Sequence, residues 1–326
     1  MTMNLHKNIN KRSLSIMKEG DGDSRARRLA YLTVWGPTVG FATAVVFSLI
    51  VGWRMLDFVL FASMYGLTCF GVEGGLHRLF SHRSYRVPEW LRASIGILGC
   101  MAAQGPILFW VATHRIHHAF TDTSEDPHSP VPGIFTGRSW LFSLWHGHVG
   151  WLFSVKRKNW AGFVPDLFES RLILWVNAHY WSWIFLGLLI PTLIGAAIDG
   201  WEGAIGGLLW GGFARIFILD HVTWGVNSLC HTFGRRPYST NDRSTNLAWL
   251  ALPSAGGSWH NNHHAHPALA YNDHRPWQLD PSAWVIRLLG RLGLAWDIRQ
   301  LGKQKLAGTP LSESKYTEGI SNERSR

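Results

Sequence analysis

The chain has 326 residues, among them 17 histidines, 19 tryptophans and 3 cysteines, and a formal charge of +10 at pH 7. Only 16% of its residues are charged, against about 25% in an average soluble protein, which argues against an ordinary soluble domain. Cys69, Cys100 and Cys230 are odd in number and form no CxxC pair, so a disulfide framework and a thiolate zinc site are unsupported. The positive charge is compatible with binding to nucleic acid, but the sequence has no zinc-finger, RNP or basic-helix pattern. We therefore expect no nucleic-acid partner.

Four apolar runs are predicted to span a membrane. The first has no charged residue, and at about 1.5 Å per residue it exceeds the hydrocarbon thickness of about 30 Å. More apolar runs follow it, which is atypical of a cleaved signal peptide. The fourth run carries Arg215 and Asp220, which at this depth should face the protein interior. The predicted spans are residues 29–53, 58–76, 172–198 and 203–222.

A fifth apolar run, residues 93–113, is also long enough to cross. Gln104, Gly105 and Pro106 divide it into two short halves. Because proline and glycine interrupt a helix, we expect a re-entrant or interfacial hairpin here.

The basic residues predict the orientation, since Lys and Arg collect in cytoplasmic loops beside spans. The N-terminal tail, the long loop after the second span and the C-terminal region are basic. The two short loops hold Arg54 with Asp57, and Asp199 with Glu202. Both termini and the long loop should therefore face the cytoplasm.

The predicted fold is an all-α, multi-pass integral membrane protein with four transmembrane helices and a cytoplasmic helical cap. Residues 77–171 and 230–326 would form the cap. Residues 1–27 and 303–326 are polar and poor in large apolar side chains, so we expect disordered tails around one domain of residues 28–302.

Three histidine clusters lie in the predicted cap. Two have the spacing HxxHH, which places residues i, i+3 and i+4 on one side of a helix. Adjacent histidines are about 100° apart around a helix and do not easily bind the same ion, so the pattern indicates two metals with each HxxHH helix contributing to both. The clusters comprise His77 and His82; His114, His117 and His118; and His260, His263 and His264.

Eight histidines exceed the roughly four ligands of a zinc site, and His231 is a natural ninth on the same side of the membrane. His77 and His82 are five residues apart, or some 140° on a regular helix of 3.6 residues per turn. We therefore expect that helix to end near Phe80, so that both rings point inward.

Imidazole binds iron, zinc, copper and nickel, so the ligand type alone does not identify the metal. The surroundings of the site must distinguish among these ions. A two-metal site beside a bilayer, in a chain rich in Trp and Phe, indicates a lipid substrate. An unactivated methylene yields its hydrogen to a redox metal that activates O2 rather than to acid-base chemistry. These considerations favour iron.

Five segments occur in the order GLHRLFSHRSY, HRIHHAFTDTSEDPH, HGHVGWLF, NSLCHTFGRRPY and GSWHNNHHAHP. On these motifs, residues 29–299 resemble the membrane fatty acid desaturases, specifically the stearoyl-CoA and related Δ9 acyl desaturases and their bacterial branch. The resemblance implies a mushroom shape, with a kinked acyl tunnel beneath a di-iron centre. It implies Asn227 as a water-mediated contact and nine catalytic, metal-binding histidines: His77, His82, His114, His117, His118, His231, His260, His263 and His264.

The resemblance also implies substrate-binding residues. Gln104, Trp110 and Thr223 match residues that line the kink, and Tyr65 matches a residue near the closed end of the tunnel. The implied reaction is O2-dependent introduction of a cis double bond, at Δ9, into an acyl chain carried on CoA, a lipid or an acyl-carrier protein.

The chain has no motif for a fused haem, rubredoxin or dinucleotide domain. We therefore expect a separate electron donor of the ferredoxin, rubredoxin or cytochrome b5 type, with its reductase.

Glu73 stands where the resembled family usually has threonine or a small neutral residue. It either orients the His77 imidazole or pairs with an arginine such as Arg78. His128 and His148 lie in recurring family segments and are candidates to support the ligands.

Lys156, Arg157 and Lys158 follow HVGWLF. They either meet the phosphates of CoA, a phospholipid or a carrier protein, or are ordinary positive charge on the cytoplasmic side.

Two other classes of function stay open. A hydroxylase, ketolase or acetylenase of the same di-iron superfamily differs from a desaturase only in how the substrate is positioned, and the match at Gln104, Trp110 and Thr223 favours desaturation. A zinc-binding transporter or receptor-like hydrolase is the non-redox alternative. A transporter is expected to have ionisable ligands along a path within its membrane spans. Here the three histidine clusters are instead predicted to lie on one side of the membrane.

Overall fold

The computed structural model describes residues 22–131, 139–154 and 160–300, with side chains from residue 27 onward. Lys156, Arg157 and Lys158, residues 303–326 and most of the predicted N-terminal tail lie outside these ranges. In the described part the secondary structure is helical, and β pairing is limited to three isolated bridges. The predicted all-helical class is confirmed for these residues.

Ten α-helices are described, and two of them continue into π-helices. The π-helices are Gly71–Ser81, after the second helix, and Gly207–Ala214, after the seventh. Short 3-10 turns cover Gly150–Phe153, Trp160–Phe163, Pro165–Glu169 and Ala248–Leu250. The α-helices are α1 Gly22–Val51, α2 Met55–Phe70, α3 Glu89–Met101, α4 Ile107–Phe120, α5 Trp140–His148, α6 Arg171–Ala178, α7 Tyr180–Gly206, α8 Arg215–Leu229, α9 His260–Ala265 and α10 Pro281–Arg291.

Three helical stretches are long and apolar enough to cross a membrane: Arg27–Val51, Met55–Ser81 and Tyr180–Leu229. The first begins within α1, which starts at Gly22. Residues 22–27 are thus helical, and the prediction of disorder is wrong for them. Alanine and arginine are good helix formers, so the helix continues beyond its apolar part.

The predicted span 172–198 is wrong at its beginning. Arg171–Ala178 forms the separate helix α6, and His179, with φ −95° and ψ 22°, divides it from α7. A hydropathy profile does not separate the two helices, because both are apolar.

The 50-residue stretch Tyr180–Leu229 folds back on itself. Asp199 and Gly200 leave the helical conformation, and Gly200 has φ 58°, which glycine adopts readily because it has no β-carbon. A β-carbon on Gly195 would lie 1.9 Å from the Gly203 carbonyl oxygen. The two halves therefore form a helical hairpin packed at its glycines.

A single arginine ties the two short inter-helix turns together. The Arg54 guanidinium lies 2.8 Å from the Asp57 carboxylate and 2.9 Å from that of Asp199. It also donates to the Glu202 carbonyl oxygen at 2.8 Å. The α1–α2 turn and the turn inside the hairpin thus lie at the same end of the helical body.

The apolar run 93–113 is interrupted at the predicted place. Ala103 and Gly105 have φ of 64° and 114°, and α3 and α4 end and begin on either side of them. The Gly105 N–H donates to the Tyr180 hydroxyl at 2.8 Å, and the Leu108 N–H donates to the Asn177 side chain at 2.9 Å. These bonds hold the turn against α6 and α7.

Arg215 and Asp220 face the protein interior, as predicted, with 0% and 1% of their surface exposed. The Arg215 guanidinium donates to the carbonyl oxygens of Gly211, Met101 and Gly187. The larger hydrophobic core of the described residues draws on the π-helix Gly71–Ser81, α4 and α6, and includes Leu76, Phe80, Ile107, Val111 and Ile173.

Candidate metal centre and acyl cavity

The helix carrying His77 and His82 is π-helical where it reaches the cap. Its i→i+5 bonding includes the His82 N–H, which donates to the His77 carbonyl oxygen at 3.1 Å. Such winding brings residues five apart to the same side. The helix ends at Ser81, one residue after the Phe80 near which its end was predicted, and its wider winding turns both rings inward.

Helix α4 supplies the first HxxHH cluster, and Arg115 fixes the position of this helix. The Arg115 guanidinium donates to the carbonyl oxygens of Phe80 and Ser81 at 2.7 and 3.0 Å. It also forms two bonds to the Asp166 carboxylate, at 2.6 and 3.1 Å. The end of the π-helix and α4 are thereby held together.

Helix α9 supplies the second HxxHH cluster and has only six residues, so its position depends on neighbouring segments. The Asn246 side-chain oxygen accepts hydrogen bonds from the N–H groups of Asn261 and Asn262, at 2.9 and 3.2 Å. The Thr245 N–H donates to the Cys230 carbonyl oxygen at 2.7 Å. This second bond places His231 beside α9.

The nine histidines separate into two groups within which the ligand nitrogens lie within 4.8 Å of one another. Each HxxHH helix contributes to both groups, with its i, i+4 pair in one and its i+3 residue in the other. We call them the five-histidine group, of His77, His82, His114, His118 and His263, and the four-histidine group, of His117, His231, His260 and His264.

The Nε2 atoms converge in both groups. His77 and His263 approach to 3.0 Å, and His263 and His118 also to 3.0 Å. In the four-histidine group the Nε2 atoms of His260 and His231 are 3.0 Å apart.

Carboxylates lie behind four of these rings. Nδ1 of His117 is 2.9 Å from Asp126, Nδ1 of His231 is 3.1 Å from Asp122, and Nδ1 of His264 is 2.8 Å from Asp242. Nδ1 of His77 is 3.0 Å from Glu73 Oε2, although the contact lacks the alignment of a good hydrogen bond. An Nδ1–H held by a carboxylate leaves Nε2 as the lone-pair donor that a metal needs.

The donor set fits transition-metal ions. The Nε2 atoms of His117 and His264 are buried and have no hydrogen-bond partner, although buried polar atoms are normally satisfied. Burial, reinforced by neighbouring imidazoles, lowers the pKa of His114, His118 and His263 well below its usual range. Neutral imidazole is the form that ligates metals.

His117 and Asp126 are an exception because they pair as opposite charges. Burial alone would lower the pKa of His117, but the Asp126 carboxylate outweighs it and raises that pKa. Burial alone would raise the pKa of Asp126, but His117 and the hydrogen bond to it lower that pKa far below its usual range.

A cavity adjoins both groups, and its empty space is about 900 Å³, which includes solvent at its open side. Gln104, Trp110 and Thr223 all line it and are bonded to one another. The Gln104 amide donates to the Thr223 hydroxyl at 3.0 Å, and the Trp110 indole N–H donates to the Gln104 oxygen at 3.3 Å. These three predicted substrate-binding residues are therefore brought together beside the histidines.

The other predicted residues are placed differently. Asn227 lines the same cavity as His260. Tyr65 is not among the lining residues: its hydroxyl donates to the Pro253 carbonyl oxygen at 2.7 Å. It lies one turn of α2 before Cys69, which does line the cavity.

His128 and His148, the two predicted supporting histidines, have different surroundings. The His128 ring is 4.4 Å from the His117 ring, and burial together with His117 lowers its pKa to about 3. Both ring nitrogens of His148 are engaged elsewhere, by Ser228 and His221 at 3.0 Å each. Among the described contacts, His148 meets no ring of either histidine group.

Glu73 satisfies both predicted alternatives. Oε2 lies against His77, and Oε1 accepts from the Arg78 guanidinium at 2.9 Å. Asp242 was missed by the sequence analysis, because a carboxylate 22 residues before its histidine in a loop has no sequence signature.

Helices long enough to cross a membrane, joined to two buried histidine groups beside an apolar cavity, define a class: membrane metalloenzymes that act on lipid-like substrates. Sequence comparison narrows the class to one family. A sequence model described as fatty acid desaturase matches residues 52–285. The chain belongs to the fatty acid desaturase family and is an oxidoreductase.

Individual relatives agree with this assignment. The chain is 42% identical over 272 residues to a hex-5-enoyl-[acyl-carrier protein] acetylenase of Moorena producens, covering 81% of this chain and 83% of the relative. It is 37% identical to an sn-1 stearoyl-lipid 9-desaturase of Anabaena variabilis, covering 72% and 80%. It is 36% identical to the Delta-9 acyl-lipid desaturase 1 of Arabidopsis thaliana, covering 70% of each chain.

Proposed function

We propose that the protein is an O2-dependent fatty acyl desaturase that introduces a cis double bond, at Δ9, into a saturated chain. The observation that carries the proposal is the pair of histidine groups beside a cavity that is lined by the hydrogen-bonded residues Trp110, Gln104 and Thr223. The reaction consumes one O2, two electrons and two protons, removes two hydrogens from adjacent methylenes and forms two waters.

We assign one iron to each histidine group. Iron bound there would supply the O2 activation that removal of hydrogen from an unactivated methylene requires. The chain itself supplies neutral imidazoles with their Nε2 atoms turned inward, and carboxylates that hold the rings. Asn227 lines the cavity that adjoins the groups, and its side-chain amide is suited to hold a water there.

The cavity residues can hold an acyl chain at one place along its length. The Trp110 ring stacks on the His114 ring with 5.2 Å between centroids. Trp110, which lines the cavity, is thereby held directly against the five-histidine group. A chain held there has only a few methylenes within reach, and such positioning contributes strongly to rate and selectivity.

For the membrane arrangement we propose four spans, with both termini and the cap in the cytoplasm. The break at Gly200 supports counting Tyr180–Leu229 as two spans. The Arg54–Asp199 ion pair supports placing both short turns at one end, away from the histidines. The basic tail and long loop support the orientation.

The substrate carrier is proposed from the relatives. Their names specify acyl-carrier protein in one case and lipid in two others, and CoA is the third carrier considered. A separate electron donor of the ferredoxin, rubredoxin or cytochrome b5 type, with its reductase, completes the reaction. The zinc transporter and receptor-like hydrolase have no support from the relatives.

Acetylenase activity is the second candidate, and the 42% identity to the Moorena producens acetylenase favours it. A desaturase removes two hydrogens from a saturated pair of carbons, whereas an acetylenase removes two from an existing double bond. Both reactions need the same metals and differ in the bond presented to them.

Expression in a desaturase-deficient host, followed by mass spectrometry with double-bond location, tests the choice. A new monounsaturated chain supports the desaturase. A terminal alkyne formed from hex-5-enoyl-acyl-carrier protein supports the acetylenase, and a product with an added oxygen contradicts both. The His117→Ala variant serves as the inactive control.

A further inference from the structure

Among the described residues, Arg78 and Arg215 are the two arginines that are fully buried, and Arg78 has 1% of its surface exposed. It directly follows His77 in the π-helix. A buried guanidinium is costly unless it is paired and its N–H groups are satisfied. Arg78 is satisfied by two carboxylates and by the Ala270 carbonyl oxygen, which accepts at 2.8 Å.

Asp280 is the first of these carboxylates. It receives two parallel bonds from Arg78, Nη1 to Oδ2 and Nη2 to Oδ1, each of 2.9 Å. Its oxygens also accept the backbone N–H groups of Asn272 and Ala283 at 2.8 and 3.0 Å. Asp280 therefore caps α10 and is itself held rigidly.

Glu73 is the second carboxylate, and its two oxygens have different partners. Oε1 accepts from Nε and Nη2 of Arg78, at 3.2 and 2.9 Å. Oε2 lies 3.0 Å from Nδ1 of His77. Because the terminal nitrogens of Arg78 already face Asp280, Arg78 engages only one oxygen of Glu73 and leaves the other for the histidine.

The turn before α9 closes over this network. A β-carbon on Gly256, whose φ is +95°, would lie 2.2 Å from Asp280 Oδ1. A β-carbon on Gly257 would lie 3.0 Å from Glu73 Oε2. The glycine backbone thus packs directly on both carboxylates and keeps solvent from them.

We propose that Arg78 and Asp280 are positioning residues for His77, acting through Glu73 to hold the imidazole of the five-histidine group. This inference rests on the proposed metal-dependent function. Without Asp280, the freed guanidinium nitrogens would draw both oxygens of Glu73 into a bidentate pair with Arg78. Oε2 would then leave His77, and the ring would lose the carboxylate contact that the described residues give it.

The test is a titration of purified, metal-free full-length protein with Co²⁺, read by its visible absorption, beside thermal unfolding of the same samples. Asp280→Asn keeps the shape of the side chain and removes its charge. We expect one of the two Co²⁺ affinities to fall by about 10- to 100-fold, the usual effect of losing a group behind a ligand. The other affinity should stay unchanged.

Asp273→Asn is the matched control. Asp273 also accepts two bonds from an arginine of the cap, Arg287, at 2.8 and 2.7 Å, and none of its described contacts is with a histidine of either group. We expect this variant to lower the unfolding temperature and to retain both wild-type affinities.

A double-mutant cycle separates positioning from general stability. Glu73→Gln combined with Asp280→Asn should weaken the affected site no more than Glu73→Gln alone, because both changes act on one contact. If Asp280→Asn does not fold, Arg78→Lys serves the same cycle, since a lysine cannot form the two-armed bond to Asp280.

Equal weakening of both sites, additive effects in the cycle, or wild-type affinities in Asp280→Asn would each overturn the positioning role. Failure of the wild-type protein to bind two Co²⁺ ions would instead overturn the proposed metal centre. The two failures are therefore distinguishable.

Discussion

The two histidine groups differ in what lies behind their rings. In the four-histidine group, carboxylates contact three of the four rings: Asp126, Asp122 and Asp242. In the five-histidine group, the described carboxylate contact is that of Glu73 with His77. The group with fewer imidazoles thus has more negative charge beside it.

This difference indicates two unequal metal sites. A carboxylate behind an imidazole makes the ring a stronger donor and fixes its orientation. The four-histidine group is therefore suited to stabilise a more positive ion. The single carboxylate of the five-histidine group is already shared with Arg78, so this group relies on the number of its neutral ligands.

The largest expected effect comes from removing a ligand from either group. We predict that His263→Ala or His117→Ala lowers turnover by at least about 100-fold and reduces iron content, because each removes a nitrogen that converges on its group. Iron analysis and product formation measure both effects. His179→Ala, at an exposed histidine bonded to the Trp175 carbonyl oxygen, is the control, and wild-type turnover in either ligand variant contradicts the assignment.

A smaller effect is expected from neutralising one carboxylate behind each group, and this effect should differ between the two groups. Among the described residues, Glu73→Gln removes the one carboxylate behind the five-histidine group, whereas Asp242→Asn leaves two behind the other group. We predict a loss in the affinity of one metal of about 100-fold for the first and about 10-fold for the second, within the usual range for such groups. Metal titration measures this, with the exposed Asp297→Asn as control, and the reverse order would remove the proposed inequality.

The Asp126–His117 pair predicts a pH dependence of stability in the metal-free protein. The lowered pKa of Asp126 gives stability that is present above about pH 3.9 and is lost as the pH falls through the lowered value. The raised pKa of His117 gives stability that is present below about pH 6.5 and is lost as the pH rises through the raised value. The pair should therefore stabilise most between about pH 4 and 6.5.

Thermal unfolding of wild type and Asp126→Asn, followed across this range, measures the pair's contribution. Breaking a buried pair costs about 3 kcal/mol or more, and the difference between the variants should shrink on either side of the window. A difference that does not vary with pH would argue against an ion pair.

The smallest effect on the metals is expected at Tyr65. Tyr65→Ala removes a ring that is held by Pro253 one helical turn from Cys69, which lines the cavity, so we predict a shift of product profile toward longer chains with unchanged iron content. Tyr65→Phe keeps the ring and should keep the wild-type profile. Lipid profiling measures this, and an unchanged profile in Tyr65→Ala excludes Tyr65 from limiting chain length.

Much of the site follows from periodicity alone. Hydropathy identifies the apolar stretches, and the i, i+3, i+4 spacing of the two HxxHH clusters already implies that each helix serves two groups. The structure distributes His114, His118 and His117 in this way.

Other features depend on contacts that no local pattern encodes. The bend at His179 separates two helices that are equally apolar. Asp280 meets Arg78 across 202 positions of sequence, and Asp242 meets His264 from a loop. Such partners become neighbours only when the whole cap folds.

The π-helix Gly71–Ser81 makes the length of this segment a functional property. Its wide winding is the reason why His77 and His82 face the same side. Deleting one residue between them would favour ordinary α-helical winding and rotate one imidazole by about 100° relative to the other. This segment should therefore tolerate no change in its number of residues.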